Sequence, residues 1–209
     1  MSVKVKICGV TNIEDALAAV DAGADALGFM FYEKSPRNLP AQAAADIIRQ
    51  LPPFVAKVGV FVNAAEESVR RSIGECGIDT LQFHGDETPE FCRRFQPLKI
   101  YKAFRMENLE SLRALPGYLT DAWLLDSFVE GKPGGTGAQF NWDLAVEGKK
   151  LGRPIILAGG LRPENVAEAV RKVRPFAVDV SGGVESSPGK KDHAKLRRFI
   201  AAAKALSEE

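Results

Sequence analysis

The chain has 209 residues, of which 45% are hydrophobic and 26% are charged, an ordinary composition for a globular protein. Its formal net charge of +1 gives no basic excess for nucleic acid or an anionic membrane, so we expect a small-molecule partner instead. No apolar stretch approaches membrane-spanning length, and the first residues lack the apolar core of a signal peptide. Three cysteines without metal-ligand spacing suit a reducing compartment, which predicts a cytoplasmic protein.

Short apolar runs rich in β-branched residues alternate along the chain with stretches of helical spacing. Such runs predict strands at residues 3–8, 26–31, 57–62, 80–84, 100–104, 123–126, 154–158 and 176–181. A stretch with helical spacing follows each predicted strand, and the repeat is roughly 20 to 30 residues long. Alternation of this kind indicates parallel strands joined by right-handed crossovers, and hence an α/β fold.

Several polar residues stand where the first residue of a helix needs a cap. Thr11 and Glu14 have the spacing of a capping box, in which each side chain bonds a backbone N–H group of the first turn. Asn63, Thr88 and Asn141 are likewise predicted to cap the helices that follow them.

The number of repeats selects the architecture. Eight strand–helix units in a chain of this length favour a closed (β/α)8 barrel, or TIM barrel, over an open doubly wound sheet. An open sheet would also carry its glycine-rich phosphate turn after the first strand, whereas here the glycine pairs come late. We therefore predict a single barrel domain over residues 1–209, of the phosphate-binding type.

Two glycine pairs follow the last two predicted strands. The residues of these turns are Gly159, Gly160, Ser181, Gly182 and Gly183. Glycine lets the backbone approach a ligand closely, and barrels bind phosphate after strands seven and eight with a short extra helix, expected here around residues 184–187. The alternative is that the glycines only make tight turns, but two pairs in these positions favour a phosphate site.

Polar side chains also stand at the C-terminal ends of the predicted strands, where the loops of a barrel converge on one mouth. They are Cys8, Arg37, Asn63, Gln82, His84, Asp126, Asp179 and Ser181. Some of them also fit a purely structural role. Cys8 fits a small buried hydrophobic residue, His84 a partner of a backbone carbonyl, and Arg37 a solvated loop residue.

Asp126 and Cys8 are the pair best suited to proton transfer. Asp126 follows two leucines in a strand expected to be buried on both faces, so its carboxyl group must find partners or stay partly protonated, as a proton donor requires. A thiol ionises close enough to neutral pH to serve as a base, and the two residues come from opposite sides of the ring. With a phosphate anchor, and without a metal cluster or nicotinamide motif, this pair predicts a cofactor-free isomerase.

Nine stretches of the sequence match one known family in residues and in order. They are residues 6–9, 35–37, 58–63, 81–85, 125–127, 134–137, 157–161, 179–181 with 183–185, and 188–192. Over nearly its whole length the chain therefore resembles the phosphoribosylanthranilate isomerase family of tryptophan biosynthesis. The resemblance implies a cofactor-free Amadori rearrangement of N-(5-phosphoribosyl)anthranilate to 1-(2-carboxyphenylamino)-1-deoxyribulose 5-phosphate.

The resemblance also implies roles for single residues. Asp126 matches the general acid that protonates the furanose ring oxygen, and Cys8 matches the general base that removes the C2 proton. Arg37 matches a residue that holds the anthranilate end of the substrate, while His84 and Asp179 match pocket residues. The implied partner is a small phosphosugar, not nucleic acid or a membrane, and the chain is expected to be a monomer or a homodimer.

Two positions depart from the family pattern. The family usually has serine where this chain has Gly182, and aspartate where it has Asn141. Neither position touches the predicted acid or base.

Three other interpretations of the sequence stay open. A Schiff-base aldolase would use Lys57 or Lys102 as nucleophile. The related isomerase of histidine biosynthesis is expected to carry aspartate where this chain has cysteine at the end of the first strand, and a phosphosugar-binding module would have no activity.

A glycine-rich loop at residues 131–137 is expected to close over bound substrate.

Overall fold

Eight parallel strands form a closed barrel in this computed structural model, which describes residues 2–127 and 141–205. The strands are β1 (Lys4–Cys8), β2 (Ala26–Met30), β3 (Ala56–Phe61), β4 (Thr80–Phe83), β5 (Lys99–Met106), β6 (Ala122–Ser127), β7 (Ile155–Leu157) and β8 (Ala177–Val180). Each strand pairs in parallel with the next, and β8 pairs with β1 to close the ring. The predicted (β/α)8 barrel is confirmed, whereas a single domain over residues 1–209 stays a prediction.

Helices pack their apolar faces against the outside of this ring in one extended core. They are α1 (Ile13–Asp21), α2 (Ala41–Ile48), α3 (Glu66–Cys76), α4 (Pro89–Arg93), α5 (Trp142–Lys149), α6 (Val166–Val173) and α7 (His193–Lys204). A 3-10 helix at Leu109–Gly117 stands between β5 and β6, where the other repeats have an α-helix. Across the described residues, no helix has both the length and the apolar character needed to cross a bilayer.

Smaller side chains fill the inside of the barrel. One cluster consists of Ala103, Ala122, Leu124, Ile156, Ala158 and Ala177. Because successive residues of a strand point alternately inward and outward, Asp126 continues the inward row of β6, and Cys8 continues the row that contains Lys6 on β1. Both residues therefore reach the C-terminal mouth of the barrel above a packed floor.

Two of the predicted helix caps are wrong and two are confirmed. Asn12, not Thr11, caps α1 by accepting from a backbone N–H group of the first turn. Asn63 has a positive φ of 51° and bonds the neighbouring loop instead of capping α3. Thr88 and Asn141 cap α4 and α5 as predicted.

A buried ion pair holds the loops after β3 and β4 against β5. The Lys102 ammonium lies 3.2 Å from a carboxylate oxygen of Glu87 and donates to the carbonyl of Gly85 at 2.6 Å. Glu87 in turn accepts from the backbone N–H groups of Asn63 and Gly85. Both charged side chains are almost fully buried, so each depends on the other for compensation of its charge.

We expect Lys102→Met to lower the free energy of unfolding by about 3–5 kcal/mol, because Glu87 would be left as an uncompensated buried charge. Lys99→Met is the matched control on the same strand, since Lys99 pairs with Asp121 at the exposed surface and should affect stability little. Urea denaturation of the two variants measures the difference. Equally small effects would contradict a structural role for the buried pair.

Candidate active site

A cavity of about 710 Å³ opens at the C-terminal ends of the strands. Of the residues that the sequence placed at this mouth, Asn63 does not line the cavity, whereas the ten to which it gave a catalytic or binding role do. They are Cys8, Arg37, His84, Asp126, Gly159, Gly160, Asp179, Ser181, Gly182 and Gly183. The candidate acid, the candidate base and the glycine turns thus share one space, which the barrel creates from segments far apart in the sequence.

Cys8 is the last residue of β1 and lies at one side of this cavity. Its side chain is buried against Gly28 of β2, where a Cβ atom would lie 2.9 Å from the sulfur. Burial raises the pKa of the thiol, whereas the ammonium of Lys6, on the same face of β1, opposes that rise. The Lys6 nitrogen lies 2.8 Å from a carboxylate oxygen of Asp179 on β8, so a buried ion pair stands beside the thiol.

Asp126 enters the cavity from β6, which β7 and β8 separate from β1 on the closed ring. Its side chain is buried, and one carboxylate oxygen lies 3.3 Å from Nε2 of His84, the residue after β4. The other ring nitrogen of His84 lies 2.9 Å from the side-chain amide nitrogen of Gln82. Because an amide nitrogen donates, the ring nitrogen Nδ1 accepts in this contact. The proton of a neutral imidazole then sits on Nε2, the nitrogen that faces Asp126. Gln82 thereby orients His84 toward the candidate acid.

Arg37 reaches the cavity from the loop after β2. Its guanidinium makes a two-point contact with Glu185, in which Nε donates to Oε1 at 2.8 Å and Nη2 donates to Oε2 at 2.7 Å. This hydrogen bonding raises the pKa of Arg37, against the smaller opposing effect of burial. One edge of the planar group therefore already holds a carboxylate of the protein, and a substrate anion would meet the remaining donors.

Lys191 connects this pair to β1. Its ammonium donates to Glu185 at 2.9 Å and to the backbone carbonyl of Cys8 at 2.6 Å. Burial lowers the pKa of Lys191, although Glu185 opposes that effect. Burial also acts to raise the pKa of Glu185, but its bonds to Arg37 and Lys191 hold it below its ordinary value. The network fixes the arginine and the end of β1 relative to each other.

The backbone turns after β7 and β8 form the far end of the cavity. Gly159 and Gly160 have positive φ angles of 82° and 65°, and Asn165 donates to the carbonyl of Gly160 at 3.0 Å. A Cβ atom at Gly183 would lie 1.9 Å from the carbonyl oxygen of Leu161, so the two turns touch and only glycine fits. Such exposed backbone at the ends of strands is suited to hold an anion through N–H groups.

The short helix expected around residues 184–187 is wrong in position. A 3-10 helix covers Gly182–Val184 instead, and the following residues form β9 (Glu185–Ser187), which pairs antiparallel with β10 (Lys190–Lys191). Pairing within this hairpin replaces the local bonds that a longer helix would make. The side-chain hydroxyl of Ser181, just before the 3-10 helix, is buried and has no hydrogen-bond partner among the described residues.

Three charged residues that bond Asp179, Arg37 or Cys8 were missed from the sequence: Lys6, Glu185 and Lys191. Lys34 and Arg162, which line the cavity, were also not predicted. Lys6 had a usable signal, because it stands two positions before Cys8 on a strand and so shares its inward face. Glu185 and Lys191 had no local signal, since their bonds to Arg37 and Cys8 join residues 148 and 183 positions apart.

A second cavity, of about 800 Å³, lies on the flank between α1 and the β9–β10 hairpin. Two of its charged groups pair with each other: His193 lies 2.7 Å from Asp15, which also accepts from the backbone N–H group of Lys191. None of the ten predicted site residues lines this cavity. The mouth of the barrel is therefore the candidate active site.

Together, the barrel, the late glycine turns and a thiol facing the same cavity as a carboxyl group define a phosphate-binding barrel enzyme of the isomerase type. Comparison with known proteins identifies the family. The model of the N-(5′-phosphoribosyl)anthranilate (PRA) isomerase family matches residues 5–202. The N-(5′-phosphoribosyl)anthranilate isomerase of Geobacter sp. (strain M21) is 57% identical over 204 residues, covering 98% of this chain and 99% of that protein.

Solved structures agree with this match. A phosphoribosyl anthranilate isomerase from Thermotoga maritima has a TM-score of 0.92 at 43% identity, covering 98% of this chain and 100% of the other. An isomerase in complex with reduced 1-(o-carboxyphenylamino)-1-deoxyribulose 5-phosphate has a TM-score of 0.89 at 43% identity and the same coverage. Monomers of the dimeric isomerase from Thermotoga maritima have a TM-score of 0.88 at 41% identity, again with that coverage.

The chain belongs to the N-(5′-phosphoribosyl)anthranilate isomerase family. It is an intramolecular aldose–ketose isomerase of tryptophan biosynthesis, as the sequence predicted.

We expect Gly183→Ala to destabilise the protein by about 1–3 kcal/mol, because the added methyl group must displace the backbone of the other glycine turn. Gly182→Ala is the matched control, since a Cβ atom there meets only side-chain atoms of Arg37 and Glu185, at 3.5 and 4.0 Å. Thermal denaturation compares the two variants. If both tolerated alanine equally well, the close contact of the turns would be refuted.

Proposed function

We propose that Asp126 and Cys8 carry out the isomerisation as general acid and general base. The supporting observation is that both line one cavity, from β6 and β1, and that the same cavity ends in the glycine turns. A substrate held at the turns by its phosphate would extend between the two groups.

The proposed reaction has two proton transfers. Asp126 gives its proton to the furanose ring oxygen, the bond from that oxygen to C1 breaks, and the nitrogen lone pair forms a C1=N bond. The sulfur of Cys8 then removes the proton from C2, the electrons of that C–H bond form the C1=C2 bond of an enolamine, and the π electrons of the C1=N bond return to nitrogen. Tautomerisation of the enolamine yields 1-(2-carboxyphenylamino)-1-deoxyribulose 5-phosphate. Neither transfer requires a cofactor.

The other predicted residues bind or orient. We assign the backbone of the two glycine turns, with Ser181, to the phosphate, and the remaining donors of Arg37 to the anthranilate carboxylate. His84 orients the carboxyl group of Asp126, and Asp179 acts through Lys6. A relative in complex with the reduced product supports a phosphosugar ligand for this cavity.

The aldolase interpretation lacks structural support. A Schiff-base nucleophile must present an amine to the substrate, but Lys102 is buried beside Glu87 and is absent from the residues that line the cavity. Lys57 stands at the opposite, N-terminal end of its strand.

A steady-state assay on the tryptophan-pathway and histidine-pathway aminoaldoses, side by side, separates this isomerase from a histidine-pathway isomerase and from a binding module. Turnover of the tryptophan-pathway substrate alone supports our proposal. Turnover of the histidine-pathway substrate alone would contradict it, and no turnover of either substrate would favour a binding module.

We also propose a cellular location and an oligomeric state for this enzyme. We place the enzyme in the cytoplasm, where its small phosphorylated substrate and its three unpaired cysteines fit best. The dimeric relative from Thermotoga maritima favours a homodimer over a monomer, and sedimentation velocity decides between them. The predicted closing loop at residues 131–137 lies outside the described residues.

We expect Cys8→Ala and Asp126→Asn each to lower kcat by about 10²–10⁴-fold, because each removes one proton-transfer group. Affinity for the reduced product analogue should change far less. Cys76→Ala is the matched control, since Cys76 lies on α3 and does not line the cavity. Near-normal kcat in either site variant, measured by fluorescence assay, would show that its role is misassigned.

A further inference from the structure

Five buried or half-buried charged side chains form a cluster beside Cys8. Its first part is the ion pair of Lys6 and Asp179, at 2.8 Å, in which both side chains are less than a tenth exposed. A Cβ atom at Gly28 would lie 2.9 Å from the sulfur and 3.2 Å from the Lys6 nitrogen. Thiol and ammonium therefore share one small space that the glycine leaves open.

The second part of the cluster adds two more positive charges. Lys191 donates to the carbonyl of Cys8 at 2.6 Å, and both Lys191 and Arg37 bond the same carboxylate, that of Glu185. The cluster as a whole thus contains three cations and two carboxylates. One positive charge is left over beside a buried sulfur.

Other titratable groups near the sulfur do not remove this excess. Tyr101 of β5 packs against the buried cluster of Cys8, Val58 and Val60 inside the barrel, and burial raises the pKa of its phenol, which stays neutral. Asp15 accepts from the backbone N–H group of Lys191 on the outer side of the hairpin, where it pairs with His193. Asp126 and His84 enter the cavity from β6 and β4, and Lys195 bonds the backbone of Glu185. The loops after β2 and β7 add Tyr32, Lys34 and Arg162 to the cavity lining.

We propose that Lys6 is the positioning residue that stabilises Cys8 as a thiolate, with its ammonium shared between the sulfur and Asp179. A thiolate supplies the one negative charge that the cluster lacks, and only the thiolate can take a proton from carbon. Burial favours the neutral thiol, and Lys6 is the strongest influence against it. The inference rests on the proposed role of Cys8 as base and names the group that makes the base available.

The inference predicts opposite effects for two substitutions on one readout. Lys6→Met should raise the pH midpoint of Cys8 alkylation by about 1–3 units, because the nearest cation is lost. Asp179→Asn should lower the midpoint, because the Lys6 ammonium then has only the sulfur of Cys8 to balance its charge. Iodoacetamide labelling of the full chain across pH, followed by peptide mass spectrometry, measures both. Cys76 and Cys92 are internal references, since burial raises the pKa of each to about 11.

Lys4→Met is the matched control, because Lys4 lies on the same strand but pairs with Asp25 at the surface. In this variant the pH midpoint of Cys8 alkylation should equal that of the wild type. If Lys6→Met fails to fold, the double variant Lys6→Met/Asp179→Asn is compared with Asp179→Asn alone, and a rise in the midpoint is expected. An unchanged midpoint without Lys6, or shifts of the same sign in both single variants, would overturn the inference. Full activity of Cys8→Ala would instead refute the base assignment and leave the labelling result intact.

Discussion

The pairing of β8 with β1 is the constraint on which the rest of the site depends. Closure of the ring places Lys6 opposite Asp179, and their side chains form a buried ion pair across this seam. Removing two charges from water is costly, and only close contact between them compensates for it, so the pair is compatible with one register of the two strands. That register brings Cys8, at the end of β1, beside the turn that follows β8.

The two sides of the cavity have different electrostatic surroundings, as acid–base chemistry requires. Around Cys8 the charged groups are mainly cations, which favour a negatively charged sulfur. Asp126 instead lies beside the imidazole of His84, which the amide of Gln82 orients. A carboxyl group and a thiol that reach one cavity from different strands can act on the same bound sugar.

The β9–β10 hairpin has a structural role that the family resemblance alone does not reveal. It brings Glu185 to the guanidinium of Arg37 and returns Lys191 to the end of β1. An arginine held by a protein carboxylate loses little conformational freedom when it binds a second anion, which favours preorganised recognition of a substrate carboxylate. The same hairpin therefore serves the binding end and the basic end of the cavity.

The barrel, its strands and the glycine turns could be predicted from sequence because each follows from a local pattern: short apolar runs that alternate with stretches of helical spacing, or glycine where the backbone must come close. Asn63 was misassigned because a bond to the next loop outweighs its local preference for a helix cap. Lys6 was missed because a lysine in an alternating strand is usually an outward, solvated residue, whereas in a barrel that face points inward. The bonds of Glu185 and Lys191 are set by tertiary structure, which no local pattern encodes.

The most direct test is a crystal structure of this protein in complex with the reduced product analogue. We expect the sulfur of Cys8 within about 3.5 Å of C2 of the sugar, the carboxyl group of Asp126 at the other side of the chain of carbons, and the phosphate on the turns after β7 and β8. An analogue bound with its phosphate elsewhere, or with C2 turned away from the sulfur, would contradict the assignment of these two residues.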